Sequence, residues 1–199
     1  MIKIFRYLLF SLFAFILFEC QSQDKVLILY QGNYTEETKY KILNSDKSQF
    51  AEIKSVDGNE PSCSKLKGKI LAYFDDYYIF HFRAKQSILP NYFEVQIGSV
   101  LKLIEKSNTM MLLSLEDYIL KYYCSASKQN PLKISPNEKS KSISVNFEDV
   151  GFICLEIKGD WVKVKCNKEC ESCPNGKNIE GWIRWRRNDK IILKQYYNC

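Results

Sequence analysis

Apolar residues in this chain fall in short runs whose period is mostly two, the pattern of strands rather than helices. KVLILY (25–30) predicts a strand, and QGNYTEET after it predicts a turn-rich loop. KILAYFDDYYIFHF (69–82) predicts two strands joined at Asp75 and Asp76, a weaker hairpin signal than Asn-Gly. In the second arm Tyr78, Phe80 and Phe82 share one face, while Tyr77, Ile79 and His81 share the other. One face can therefore line a core while the other meets solvent or a second layer. YFEVQIGSVLKLIE (92–105) predicts two further strands broken near Gly98 and Ser99. SLEDYILKYY (114–123) has the helical period instead: Ser114 can cap, Asp117 can complete a capping-box-like pair, and Leu115, Tyr118, Ile119 and Tyr122 fall on one side. Residues 23–125 thus predict a small β-rich (α+β) domain with one short helix.

Around SASKQNP (125–131) the residues turn small and polar, which predicts a linker at 126–130. Strand-sized runs then continue to the end: PLKI, KSISV, GFICLEI, DWVKVK, GWIRW and KIILKQYY. Short strands with tight polar breaks predict a compact β-barrel over 131–199 and a mainly β fold for the whole chain.

The first residues are of another kind. Lys3 and Arg6 precede an unbroken apolar run, YLLFSLFAFILF (7–18). A charged stretch before a short apolar one is the pattern of a secretory signal peptide, and the run is short of the roughly 20 residues a membrane-spanning helix needs. Two processing routes fit its end. Cleavage after Ser22, with Cys20 and Ser22 as the small residues before the cut, makes 1–22 the signal peptide. LFEC (17–20) is alternatively a lipobox whose Cys20 is lipidated, although Glu19 stands where a small residue is usual. The expectation is an exported protein of the periplasm or cell surface, membrane-tethered only if Cys20 carries lipid.

Composition agrees with a folded domain: 46% hydrophobic and 26% charged residues, with 14% aromatics and few Gly and Pro, exclude a disordered chain. The net charge of +6 is spread over separated lysines and reads as a solvated surface. An exported protein rarely meets nucleic acid, so an anionic envelope polymer or lipid head group is the better match for that charge.

The most specific motifs are GDWVKVK (159–165) and, after a cysteine-studded stretch, EGWIRW (180–185). Together with Pro131, Leu132 and Pro136, they make residues from about 131 to 195 resemble bacterial SH3-like (SH3b-type) domains of exported proteins. The resemblance covers the C-terminal third only. It implies a small SH3-like barrel in which the Gly-Asp pair turns the chain, the following Trp covers the barrel, and the later Gly-Trp-Ile restarts a strand. The insert CNKECESCPNGK (166–177) departs from the short turn of plain members. By residue chemistry, Val162 and Val164 suit a core, while Trp161 shares a face with Lys163 and Lys165. Trp182, Arg184 and Arg186 likewise alternate with Ile183, Trp185 and Arg187. Trp161, Trp182, Arg184 and Arg186 are therefore the candidate ligand-binding residues, able to stack on sugars or planar groups and to bind phosphate or carboxylate. The plainer alternative is that the tryptophans seal a small barrel short of core material.

Eight cysteines are present, and in an oxidising compartment they read first as disulfides. Cys166 and Cys173 could staple the insert, and Cys154 lies within reach of Cys166 or Cys170. The same four thiols, Cys154, Cys166, Cys170 and Cys173, could alternatively hold zinc, although zinc ribbons show two matched Cys-x-x-Cys knuckles and this chain has one irregular cluster. No cofactor is expected.

Domains of this family often accompany cell-wall cysteine peptidases, which need a histidine-activated cysteine. The one histidine is His81, and Cys63 in an SCS loop is the nearest cysteine in sequence. A lone histidine in an aromatic strand reads as structural. Asp75 and Asp76 make a poor acid/base pair, and no phosphate loop, metal-binding histidine pair or nucleophile elbow is present. The expectation is a non-enzymatic module that recognises a cell-wall or envelope polymer such as peptidoglycan. An envelope protein-interaction or scaffold role is the alternative, and a Cys63/His81 hydrolase a distant third.

Overall fold

The structure, a computed structural model, describes residues 25–30, 39–56, 59–144, 150–168, 173 and 176–197. The expected signal segment with Cys20, the expected loop after Tyr30, and Cys170 lie outside the described residues. Among those described, no helix is long and apolar enough to cross a membrane.

The fold is mainly β. The first sheet contains β1 (Lys25–Leu29), β2 (Lys39–Leu43), β3 (Gln49–Val56), β4 (Asn59–Ser62), β5 (Ala72–Phe74), β6 (Ile79–Gln86), β7 (Tyr92–Ile97), β8 (Val100–Glu105) and β9 (Met110–Ser114). Their order is β4-β3-β2-β8-β7-β6-β1-β9, with β5 also on β6, and every pairing is antiparallel. This sheet is larger than the small one expected. β2 and β3 carry too many polar residues to stand out as apolar runs, yet each supplies alternate residues to a core. β9 is a short apolar run whose Met110 and Leu112 pack on one core and Met111 and Leu113 on the other.

The hairpins foreseen at 69–82 and 92–105 are present. β7 and β8 join through Gly98 and Ser99, with Gly98 at φ 61, as a two-residue turn with glycine first requires. β5 and β6 join through a 3-10 turn (Asp75–Tyr77), after which Tyr78 takes φ 54. That left-handed conformation costs a bulky residue about 1–2 kcal/mol, and it places Tyr78 outside the strand that was expected to contain it. The helix, α1 (Leu115–Lys121), is where its pattern predicts: Ser114 Oγ accepts from the Asp117 backbone N–H at 3.0 Å and donates to the Asp117 carboxylate at 2.6 Å.

The second sheet runs β13-β12-β11-β10-β16, from β10 (Tyr123–Ser125), β11 (Phe152–Lys158), β12 (Trp161–Cys166), β13 (Glu180–Arg184) and β16 (Lys194–Tyr196). β10 precedes the expected linker at 126–130 and already belongs to this sheet. Among the described residues of PLKI and KSISV, expected as strands, there are isolated bridges only, from Lys133 to Ser142 and to Trp182. A short hairpin, β14 (Arg186–Arg187) with β15 (Lys190–Ile191), stands apart. Its turn residues Asn188 and Asp189 have φ 47 and 59, the pair of left-handed residues that a type I′ turn demands.

β1 explains the arrangement. Val26, Leu27, Ile28 and Leu29 are all 0% exposed, which is why the strand is a continuous apolar run rather than an alternating one. Leu27 and Leu29 join Phe80, Phe82, Ile42, Ile53 and Val95 in a core within the first sheet. Val26 and Ile28 join Tyr118 and Ile119 of α1 and the adjoining Tyr122, and continue into Phe152, Val162, Val164 and Ile183 of the second sheet and Trp185 next to it. The face of β6 left open by the sequence therefore meets a second layer.

Because all three tryptophans lie in the C-terminal half, their fluorescence reports whether that half feels β1. Ile28→Ala is expected to destabilise by about 2–5 kcal/mol, with equal shifts in the urea midpoints of tryptophan fluorescence and far-UV circular dichroism. A fluorescence midpoint that stays at the wild-type value would show the two sheets to be energetically independent.

Candidate functional site

β12 and β13 are antiparallel neighbours with Trp161 opposite Arg184, Lys163 opposite Trp182, and Lys165 opposite Glu180. Alternation sends Val162, Val164 and Ile183 into the core, each 0% exposed, and leaves Trp161, Lys163, Trp182 and Arg184 on the outer face.

The Gly-Asp turn organises this face. Lys158 and Trp161 close a two-residue hairpin, and Gly159 at φ 59 takes the left-handed position that such a turn assigns to glycine. From the core side, Trp185 Nε1–H donates to the Gly159 carbonyl and the Trp185 backbone N–H to the Asp160 carbonyl, both at 2.9 Å. From the solvent side, the Asp160 carboxylate accepts from Arg184 Nη2 at 3.1 Å and Arg186 Nε at 3.0 Å. Glu138 pairs with Arg184 Nη1 and, at 3.4 Å, with Arg187. The Arg184 hydrogen bond, followed by that of Arg186, holds the Asp160 carboxyl below the usual carboxylate range. The Asp160 hydrogen bond in turn raises Arg184.

The four expected binding residues thus take different parts. Trp161 is 9% exposed and has the Arg184 guanidinium 6.0 Å from its ring centroid, so it is a covered residue. Arg184 and Arg186 are engaged by carboxylates rather than free for an external anion, and Arg186 also lies 4.7 Å from the Trp185 ring centroid. Trp182 alone among the tryptophans is half-buried on the outer face. Lys163 beside it is paired with Glu180 at 2.6 Å. Lys133 exchanges backbone hydrogen bonds with Trp182 at 2.7 and 2.8 Å, and its Nζ donates to the carbonyls of Glu138 and Ser140. The Trp182 indole is framed by cations that already have partners. Such a surface suits stacking on a neutral, hydroxyl-bearing ring better than capture of a phosphate.

Gly181 has a structural reason. A Cβ there would lie 2.7 Å from the Lys133 carbonyl oxygen and 2.8 Å from Leu132 Cγ, so only glycine lets the 131–133 segment lie against β13. Asp160, Glu138 and Gly181 were missed as parts of this site. The Gly-Asp pair announces a turn but not the guanidinium partners of its carboxylate, and Glu138 has no sequence signal at all.

Cys166 and Cys173 form a disulfide, as their spacing allowed, and two of the four thiols of the zinc reading are thereby used. Among the described residues no cluster of His, Cys, Asp and Glu could hold a metal. Cys154 Sγ lies 3.6 Å from Cys124 Sγ, a neighbour the spacing did not suggest.

Cys63 and His81 are not brought together. Cys63 packs against the core on the Leu27 face of the first sheet and lines an open cleft of about 480 Å³ with Phe50, Glu52 and Lys65. His81 alternates with Phe80 and Phe82 and so points to the opposite face. It is fully buried, with Nδ1 3.0 Å from the Tyr118 hydroxyl and Nε2 3.3 Å from that of Tyr122. Phe74 meets its ring edge-on at 4.9 Å. A neutral imidazole offers one N–H and one lone pair, so one tyrosine accepts and the other donates. Burial brings the His81 pKa down from 6.5 to about 3 and pushes both tyrosines up.

No protein-family model matches the chain, and no curated protein or solved structure matches it significantly.

The depressed His81 pKa has a definite sign. The unfolded chain binds this proton first on acidification, so the contribution of His81 to stability is complete above 6.5 and is lost as pH falls toward 3. Between those values the group adds a slope of up to ~1.4 kcal/mol per pH unit. His81→Gln, which keeps a donor and an acceptor but does not titrate, is expected to flatten urea-derived stability between pH 6 and 4 by about that slope. Identical pH profiles for variant and wild type would rule out the buried neutral histidine.

Proposed function

We propose that this is an exported, non-enzymatic recognition module in which residues 131–199, together with β10, form an SH3-like unit. In this reading Trp182 is the contact residue for a cell-envelope polymer, its indole stacking on sugar rings of a peptidoglycan-like chain. The observation that carries it is the contrast among the three tryptophans. Trp161 is 9% and Trp185 0% exposed, while Trp182 remains half-buried on the outer face between two ion-paired clusters. Arg184 and Arg186 take the role of holding that face flat through Asp160. The expected anion-binding role passes from them to the indole and the polar rim. Export is supported by the charged and apolar opening of the sequence and by the Cys166–Cys173 disulfide, a bond that persists in oxidising compartments.

A second reading has an observation of its own. The core that contains Trp185 and Phe152 also contains Val26, Ile28 and α1, so the second sheet serves as the packing partner of the first. A scaffold role, with the binding surface elsewhere on the molecule, follows if Trp182 proves silent.

The distinguishing experiment is co-sedimentation with purified insoluble peptidoglycan. Trp182→Ala is expected to weaken binding about tenfold, equivalent to ~1.4 kcal/mol, at an unchanged melting temperature. Trp182→Phe should retain part of it. Asp160→Asn, by releasing both arginines, should weaken binding while making the residual binding more salt-dependent. Absence of wild-type binding, or full binding by Trp182→Ala, would leave the scaffold reading in its place.

A further inference from the structure

We infer that Cys124 and Cys154 are a second disulfide pair, closing a covalent link between β10 and β11. Cys124 lies opposite Phe152 in the β10–β11 ladder, and Cys154, two residues further along β11, presents its side chain to the same face. The two sulfurs are 3.6 Å apart, so a bond requires them to approach by about 1.5 Å. The strand has slack for it: the β11–β12 register shifts between Cys154 and Glu156, and a bulge of this kind lets the backbone on either side rotate. Among the described cysteines the pair also stands apart. Cys166 and Cys173 are joined to each other, and Cys63 packs on the other core.

The two thiols differ in access, which orders the steps. Cys124 is 0% exposed, and the hydrogen bond with Cys154 together with burial keeps its thiol protonated. Cys154 is half-buried. The Cys154 thiolate attacks one sulfur of an oxidant of the disulfide class, such as oxidised glutathione or the active-site disulfide of an oxidoreductase. That breaks the oxidant's S–S bond, forms a mixed disulfide and releases one thiol. The Cys124 sulfur then attacks Cys154 Sγ as its proton leaves, forming the Cys124–Cys154 bond and releasing the second thiol. Two protein thiols are oxidised, one external disulfide is reduced to two thiols, and the two protons pass to those thiols.

The link ties the strand that continues directly from α1 to the hairpin that carries the Gly-Asp turn. It does not depend on what Trp182 binds.

The test is disulfide mapping of the full chain, incubated folded with oxidised glutathione, then denatured and alkylated without reductant before proteolysis. The expected product is a peptide containing Cys124 linked to one containing Cys154, beside the linked Cys166 and Cys173 peptides. Recovery of Cys124 and Cys154 both alkylated, while Cys166 and Cys173 are linked, would overturn the inference. So would Cys154 linked to any other cysteine. In melting experiments Cys154→Ser is expected to lie about 5–15 °C below wild type under oxidising conditions and to match it with reductant present. An equal difference in both conditions would assign the loss to packing and count against the bond.

Discussion

The protein depends on an apolar core that passes from one sheet to the other without a break. Val26 and Ile28 of β1 enter it from the first sheet, Tyr118 and Ile119 from the helix with Tyr122 at its end, and Phe152, Val162, Val164 and Ile183 from the second sheet with Trp185 next to it. β1 also serves the core on its other face through Leu27 and Leu29. The four residues 26–29, buried on both faces, leave no position for a polar side chain, and each contributes roughly 1.5–3 kcal/mol relative to exposure. The second sheet therefore packs on a surface made by β1 and α1, and the helix is the wedge between the two sheets.

That support gives the outer face of β12 and β13 its fixed shape. The core-side hydrogen bonds from Trp185 hold the Gly159–Asp160 turn from beneath, while Arg184 and Arg186 hold the Asp160 carboxylate from above. Exposed ion pairs are individually worth little, but a network on one carboxylate restrains several side chains at once. The outcome is a strip of neutralised charge in which Trp182 is the large apolar feature. The buried triad of Tyr118, His81 and Tyr122 does comparable work at the sheet junction, satisfying polar groups that would otherwise be costly to bury.

Much of this was legible in the sequence, for identifiable reasons. The Ser114 cap, the Gly98 turn, the 69–82 hairpin and the inward set of Val162, Val164, Ile183 and Trp185 follow from local periodicity and turn chemistry. β2 and β3 were not legible because their polar outward residues mask the apolar inward ones, and β9 because a short apolar run leading into a helix has no period that marks it as a strand. Nor was β10, since three residues that follow a helix carry no period of their own. The site was half legible: alternation put Trp182, Arg184 and Arg186 on one face. Alternation says nothing of what else reaches that face, so the capture of Arg184 by Asp160 and Glu138 was out of view. The neighbour of Cys154 was not legible either, because it is brought there by the pairing of β10 with β11, which no local period announces.

The pairing of β1 bears on how the chain acquires its fold. Lys25 lies opposite Ala84 on one side and Ser114 on the other, so the first described strand finds both neighbours far along the sequence. Closing such contacts requires large loops to be ordered before any ladder rewards them, the circumstance that slows β-rich domains. Until the segment ending at Ser114 is in place, β1 has one unpaired edge carrying four consecutive apolar residues. An edge of that kind is a template on which strands of other molecules add. The strand that unites the finished protein is thus one whose edge needs cover while the protein is being made.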